Sequence, residues 1–151
     1  MFQEFEEIEL LDPLLIEDSV YQSAMTRWEF IEHEDGYRVR AEFTLLLGEN
    51  IGDRLIKHWS SLEQDENGFI TASKHTQLYQ DYTGLFGVPP AGKIDMDKFI
   101  GLPVMISTRS VKKSVDQRIL ERDKRYSVVD RVIDLVFTPT QSLLMESVAR
   151  F

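Results

Sequence analysis

Tyr37-Arg38-Val39-Arg40-Ala41-Glu42-Phe43-Thr44-Leu45-Leu46-Leu47 is the stretch that decides the fold class of this chain. Tyr37, Val39, Ala41, Phe43 and Leu45 share one parity, and Arg38, Arg40, Glu42 and Thr44 the other. Successive side chains of a strand point to opposite faces, so this period of two predicts a half-buried strand with Arg38 and Arg40 turned outward. Before it, Glu34-Asp35-Gly36 reads as a tight turn, and Val20 to about Glu34, rich in Tyr, Trp, Phe and Ile, reads as the first arm of a hairpin. Trp28 and Phe30 share a parity there and are expected in the core. After it, Gly48-Glu49-Asn50-Ile51-Gly52-Asp53 is a second turn cluster, and Arg54 to Leu62 a third strand. In that strand Ile56 and Leu62 lie on one parity and Leu55, Lys57 and Trp59 on the other. With Ile56 in the core, Lys57 and Trp59 face outward; with the opposite parity, Trp59 is core.

Past the loop around Gln64 to Gly68 the period changes. Leu78, Tyr79, Tyr82, Leu85 and Phe86 recur at helical spacing, which predicts a helix from Ala72 to Phe86, capped by Thr71 or Ser73 and stopped by Gly87. Val88-Pro89-Pro90-Ala91-Gly92 is a loop, because proline lacks the N–H a ladder needs. Asp95 caps a short turn through Phe99, Leu102 to Arg109 is a fourth strand, and Tyr126 to Phe137, densely β-branched, is a fifth. Leu143, Leu144, Val148 and Phe151 give the tail after Pro139 a helical spacing, as of a short segment packing back on the domain.

At 151 residues the chain has the usual size of one domain, and 42% hydrophobic residues are enough to bury a core. Residues 1–18 form an acidic arm with seven acids and no base, 19–138 the domain, and 139–151 the terminal segment. Cysteine is absent, which excludes disulfides, thiolate zinc sites and a cysteine nucleophile and favours a cytoplasmic protein. No apolar run approaches the ~20 residues of a membrane span. The net charge of −9 is segregated: residues 1–35 hold eleven acids against Arg27 alone, whereas 109–131 hold eight bases against four acids. Fields decay over about 8 Å in physiological salt, so the basic stretch can face a polyanion despite the negative total.

The order β-β-β-helix-β-β, with a charged loop between the last two strands, is that of the OB-fold, a five-stranded partly open barrel. Gly48-x-x-x-Gly52, the helix, and Phe99-Ile100-Gly101-Leu102-Pro103-Val104 opening strand four resemble the single-stranded DNA-binding proteins of phages and other mobile elements. Many of these end in an acidic tail with a terminal aromatic; this chain ends Ser147-Val148-Ala149-Arg150-Phe151, with its acids at the other terminus. The resemblance implies replication or recombination in a host cytoplasm, with single-stranded DNA as ligand. Replication or recombination proteins, or further copies of the chain, would then meet the terminal segments. Non-selective single-strand binding needs cations along the backbone and aromatic faces for bases. The residues expected to serve are Arg38, Arg40, Lys57 and Trp59 on the groove floor, and Arg109, Lys112, Lys113, Arg118, Arg125 and Tyr126 in the clamp. Each also has a plainer reading, Trp59 as core and the arginines as a solvated face or surface run.

Catalysis finds little support. His33, His58 and His75 lack metal-ligand spacing, Asp95 and Asp97 cap a short turn, and Asp130 and Asp134 share a strand face without a ligand pattern. There is no Gly-x-Ser-x-Gly elbow, Walker-type Gly-Lys-[Ser/Thr] or dinucleotide Gly-x-Gly-x-x-Gly. The expectation is therefore a non-catalytic binder without cofactor or metal. The alternative is a β-barrel interaction or virion-assembly module that binds no nucleic acid.

Overall fold

A computed structural model describes residues 14–34, 36–67, 69–89, 92–112 and 125–136. The chain is mainly β, built as one antiparallel sheet that does not close, with one α-helix among the described residues. Its strands are β1 (Val20–His33), β2 (Gly36–Leu45), β3 (Arg54–Gln64), β4 (Ile70–Thr71), β5 (Lys93–Ile94), β6 (Pro103–Val111) and β7 (Tyr126–Leu135), in the order β5-β4-β3-β2-β1-β6-β7. Among the described residues the sheet thus has seven strands where five were expected; the two additions are two-residue strands that extend the edge of β3 at Glu63 and Gln64. The C-terminal segment expected to be helical lies outside the described residues.

The alternation of β2 is realised as read: Val39, Ala41, Phe43 and Leu45 are buried. β1 is long because it serves two neighbours. Ser23 to His33 pairs with β2, and Val20 to Ala24 with β6. Between Met25 and Arg27 the register slips and Thr26 is the extra residue, a bulge of the kind that bends a strand. Trp28 and Phe30 lie beyond the bulge, only partly buried, packed against the core rather than inside it. The indole of Trp28 donates to Asp97 Oδ1 at 2.9 Å, and Phe30 stacks on Tyr37 with centroids 4.9 Å apart.

The helix α1 runs from Gln77 to Phe86, later than the pattern suggested. Thr71 belongs to β4, and the cap is Thr76, whose Oγ1 accepts from Tyr79 N–H at 3.3 Å. Gly87 ends the helix at φ 82°, where its N–H reaches the Thr83 carbonyl. Asp95 caps the 3₁₀ turn Met96–Phe99 as expected, and Gly101, at φ 74°, swings the chain from that turn into β6 while its N–H donates to the Met25 carbonyl at 2.9 Å. This is the structural content of the Phe99–Val104 phrase: a residue with a Cβ is strained at that φ. Phe99 is fully buried and meets Trp59, Tyr82 and Phe86 at centroid distances of 5.8, 6.0 and 5.2 Å, so one ring joins β3, α1 and the turn.

The residues before β1 form a strap along β6 and β7. Ile16 is buried; its N–H donates to Ser127 Oγ at 3.0 Å, while Thr108 N–H donates to the Ser19 carbonyl at 2.9 Å. Residues 1–13 of the acidic arm are outside the described set.

Candidate nucleic-acid interface

The ends of the long-strand set, β3 and β7, share no ladder and are joined through side chains. Gln77 and Asp81, one turn apart, present the same face of α1 to both strands. Lys57 on β3 donates to Gln77 Oε1 and to the Asp130 carbonyl of β7. Asp81 accepts from Trp59 Nε1 at 2.9 Å and from Arg131 Nε at 2.7 Å. Thus one buried carboxylate ties β3, α1 and β7 together. Burial pushes the Lys57 ammonium down to about 8; the Asp81 and Asp130 charges oppose that fall, and Arg109 and Arg131 add to it.

This arrangement corrects the expected groove floor. Lys57 and Trp59 do share a face, but it is the inner one: Trp59 is 1% exposed, so its ring is closed to a stacking base, and Lys57 is buried under α1. Leu55 is buried beside them and Ile56 is only half-buried, the reverse of the parity that would have turned Trp59 outward.

Arg38 and Arg40 lie on the outer face of β2. Arg40 stands opposite His58 of β3 and, on its other side, opposite Glu29 of β1, whose carboxylate is 3.5 Å from the guanidinium. Arg38 stands opposite a bulge, since Tyr37 pairs with Leu62 and Val39 with Trp59, leaving Ser60 and Ser61 against one residue. Ser61 takes φ 62°. The His58 imidazole is held below its ordinary 6.5, first by partial withdrawal from water and then by the Arg40 and Arg38 guanidiniums. Farther along the same face the Glu42 carboxylate is clamped by Arg27 at 3.0 Å and Arg54 at 2.8 Å.

The clamp residues fall at the far end of the β6–β7 pair. Arg109 is exposed and 3.4 Å from Asp130; Lys112 is exposed; Arg125 is half-buried; Tyr126, 38% exposed, stands opposite Val111. Lys113 and Arg118 lie outside the described residues. Arg109 and Arg131 act electrostatically on Lys57, which lies on the inner face of β3, opposite the face that carries Arg38, Arg40 and His58.

Sequence reading missed His58, Asp81 and Arg131. The register of β2 and β3 would have pointed to His58 as the neighbour of Arg40; nothing local marks Asp81, whose partners lie 22 and 50 residues away. Among the described residues no three His, Asp or Glu side chains are grouped to hold a metal ion, and no helix is long and apolar enough to cross a membrane. Comparison of the chain with protein-family models, curated proteins and solved structures gave no match.

Proposed function

We propose that this protein is a non-catalytic, OB-like single-stranded DNA-binding protein acting in replication or recombination. The observation that carries the reading is connectivity. The five long strands follow one another as β3-β2-β1-β6-β7, the first strand lies at the centre, and the helix inserted before β6 spans the β3–β7 gap. A five-stranded, partly open barrel of the OB type has this order, and such barrels bind oligonucleotides on the face of their second and third strands and in the loops after strands one and four. Here that face carries Arg38, Arg40 and His58, and the sequence joining the fourth long strand to the fifth holds the basic run beginning at Lys112. Stacking falls to Tyr126 instead of Trp59.

The test is anisotropy of a labelled oligo-dT against a duplex of the same length at two salt concentrations. Preference for the single strand and a steep loss of affinity with salt support the reading. No change at low salt and micromolar protein refutes it. The competing assembly reading draws on Leu47 and Ile51, exposed by 58% and 65% on the β2–β3 loop; a concentration-dependent oligomer abolished by Leu47→Ser and Ile51→Ser would favour it.

A further inference from the structure

β3 meets β4 only at Glu63 and Gln64, so its edge before them has no strand partner among the described residues. Beside that edge lies a cleft of about 400 Å³, walled by His58, Ser60, Ser61, Ser73, His75 and Thr76. A second cleft of about 320 Å³ shares Ser61 and Ser73 with it. Thr76 spends its hydroxyl on the helix cap, but the hydroxyls of Ser60, Ser61 and Ser73 have no partner among the described residues. No carboxylate lines the larger cleft. Arg38 and Arg40 do not line it; they sit on β2, across β3 from the cleft, opposite the Ser60–Ser61 bulge and His58, and their charges reach the His58 imidazole. The nearest described counter-charge to Arg40, Glu29, is on β1, across β2 from the cleft. Ser61 is the one non-glycine at positive φ among the described residues, and a bulge of this kind re-aims a side chain.

We infer that this cleft is a phosphate subsite: it takes one phosphate of a single-stranded nucleic acid, or the same group on a free nucleotide. The Ser60, Ser61 and Ser73 hydroxyls and the His58 and His75 rings donate to its oxygens, and the Arg38 and Arg40 guanidiniums add their charge from across β3. The inference rests on the nucleic-acid reading and names where that ligand's backbone is gripped. Arg40 shares Glu29 across β2 and Glu63 lines the adjoining cleft, but no carboxylate enters the larger one, so its donors face open space that an anion can fill.

Binding is coupled to protons. The charges facing His58 are Arg38 and Arg40 from β2, Lys57 on its own strand and Glu29 from β1, with His75 across the cleft. In the free protein the guanidiniums disfavour the imidazolium; a bound phosphate offsets them, raises the His58 pKa and takes up a proton. Affinity therefore rises as pH falls through the histidine range, by up to about tenfold per pH unit for one linked proton.

The experiment follows the histidine ring resonances of the full chain by NMR while oligo-dT, dTMP and inorganic phosphate are titrated in separately. In parallel, oligo-dT affinity is measured at pH 7.5 and 6.0 for wild type, His58→Gln and Ser61→Gly. The expected result is movement of both the His58 and His75 rings and several-fold tighter wild-type binding at pH 6.0. That pH gain is lost in His58→Gln. Ser61→Gly, whose backbone suits the bulge, stays folded and loses affinity several-fold. Movement with oligo-dT alone assigns the subsite to the polymer backbone, and movement with dTMP or phosphate as well assigns it to the phosphate group in general. If oligo-dT binds with equal pH dependence in wild type and His58→Gln and neither ring moves, the subsite is refuted while the nucleic-acid reading stands. If oligo-dT fails but dTMP or phosphate moves both rings, the reading falls and the subsite stands. If nothing moves the rings and oligo-dT does not bind, both fall.

Discussion

Asp81→Ala is the substitution whose cost the structure specifies most fully. The carboxylate is 1% exposed and accepts from Trp59 Nε1 and Arg131 Nε, so its removal strands two donors of different kinds. The indole N–H is buried beside Phe99 and has no water to turn to, a loss of about 1–3 kcal/mol. The Arg131 side chain is 38% exposed and can regain solvent, so its loss is nearer the ~1 kcal/mol of an accessible pair than the ~3–5 of a closed one. The sum is about 3 kcal/mol. For a chain of this size that corresponds to a fall in Tm of about 9 °C. Asp81→Asn keeps an acceptor for the indole and is expected to cost about half as much. Urea unfolding at pH 7, followed by circular dichroism and tryptophan fluorescence with m unchanged, measures both variants. A loss below about 1 kcal/mol in Asp81→Ala, or equal losses in the two variants, would refute the claim that this carboxylate clasps β3 to β7.

Lys57 gives a pH signature. Its folded value of about 8 lies below the unfolded 10.5, so the folded state holds fewer protons between those values and its stability rises with pH there. Relative to Lys57→Met, the wild type is expected to gain about 2 kcal/mol from pH 7.5 to 9.5 in urea unfolding; a flat difference would contradict burial of the charge. Ser127→Ala removes both hydroxyl bonds to Ile16 and is expected to cost about 1–2 kcal/mol, with faster hydrogen exchange confined to the strap and the start of β7. Replacing Arg38 or Arg40 by Ala should reduce the salt slope of oligo-dT binding by about one each, and an unchanged slope would place the phosphate path elsewhere. Glu42→Gln, which leaves Arg27 and Arg54 without their shared charge, is expected to lower stability by about 1 kcal/mol, an effect that high salt should shrink.

How much could be read in advance follows from how local the determinants are. β2 was legible because one whole parity is buried, and alternation is enough to orient such a strand. β3 was not, for two reasons visible in the register. Its bulge at Ser60 and Ser61 puts Leu62 on the same inner side as Leu55 and Trp59, so a strict period of two assigns it to the wrong parity. Lys57 is buried because partners 20 and 73 residues away receive its protons, which no window along the chain reveals. The helix stop at Gly87 was local and legible; its start was not, because Ala72 to His75 lacks a helix-breaking residue and Thr71, a credible cap, is taken by β4. Two-residue strands such as β4 and β5 carry no period at all. In the candidate interface, the outward parity of Arg38 and Arg40 was readable, whereas their convergence with His58 and the bulge depends on which residues face each other across two strands.

The strap has a consequence for the order in which the chain is assembled. Ile16 is fixed by a residue 111 positions later and Ser19 by one 89 positions later, while β1, the central strand, waits for β6 to cover its second edge. During synthesis the β1–β2–β3 meander is complete long before that edge is paired, so the nascent chain spends the interval with an open strand edge of the kind that templates aggregation. Refolding of the full chain is accordingly expected on the slow, millisecond-to-second scale of topologies dominated by distant contacts. Ser127 and Thr108, placed on the last two long strands, then act as the latch that registers completion.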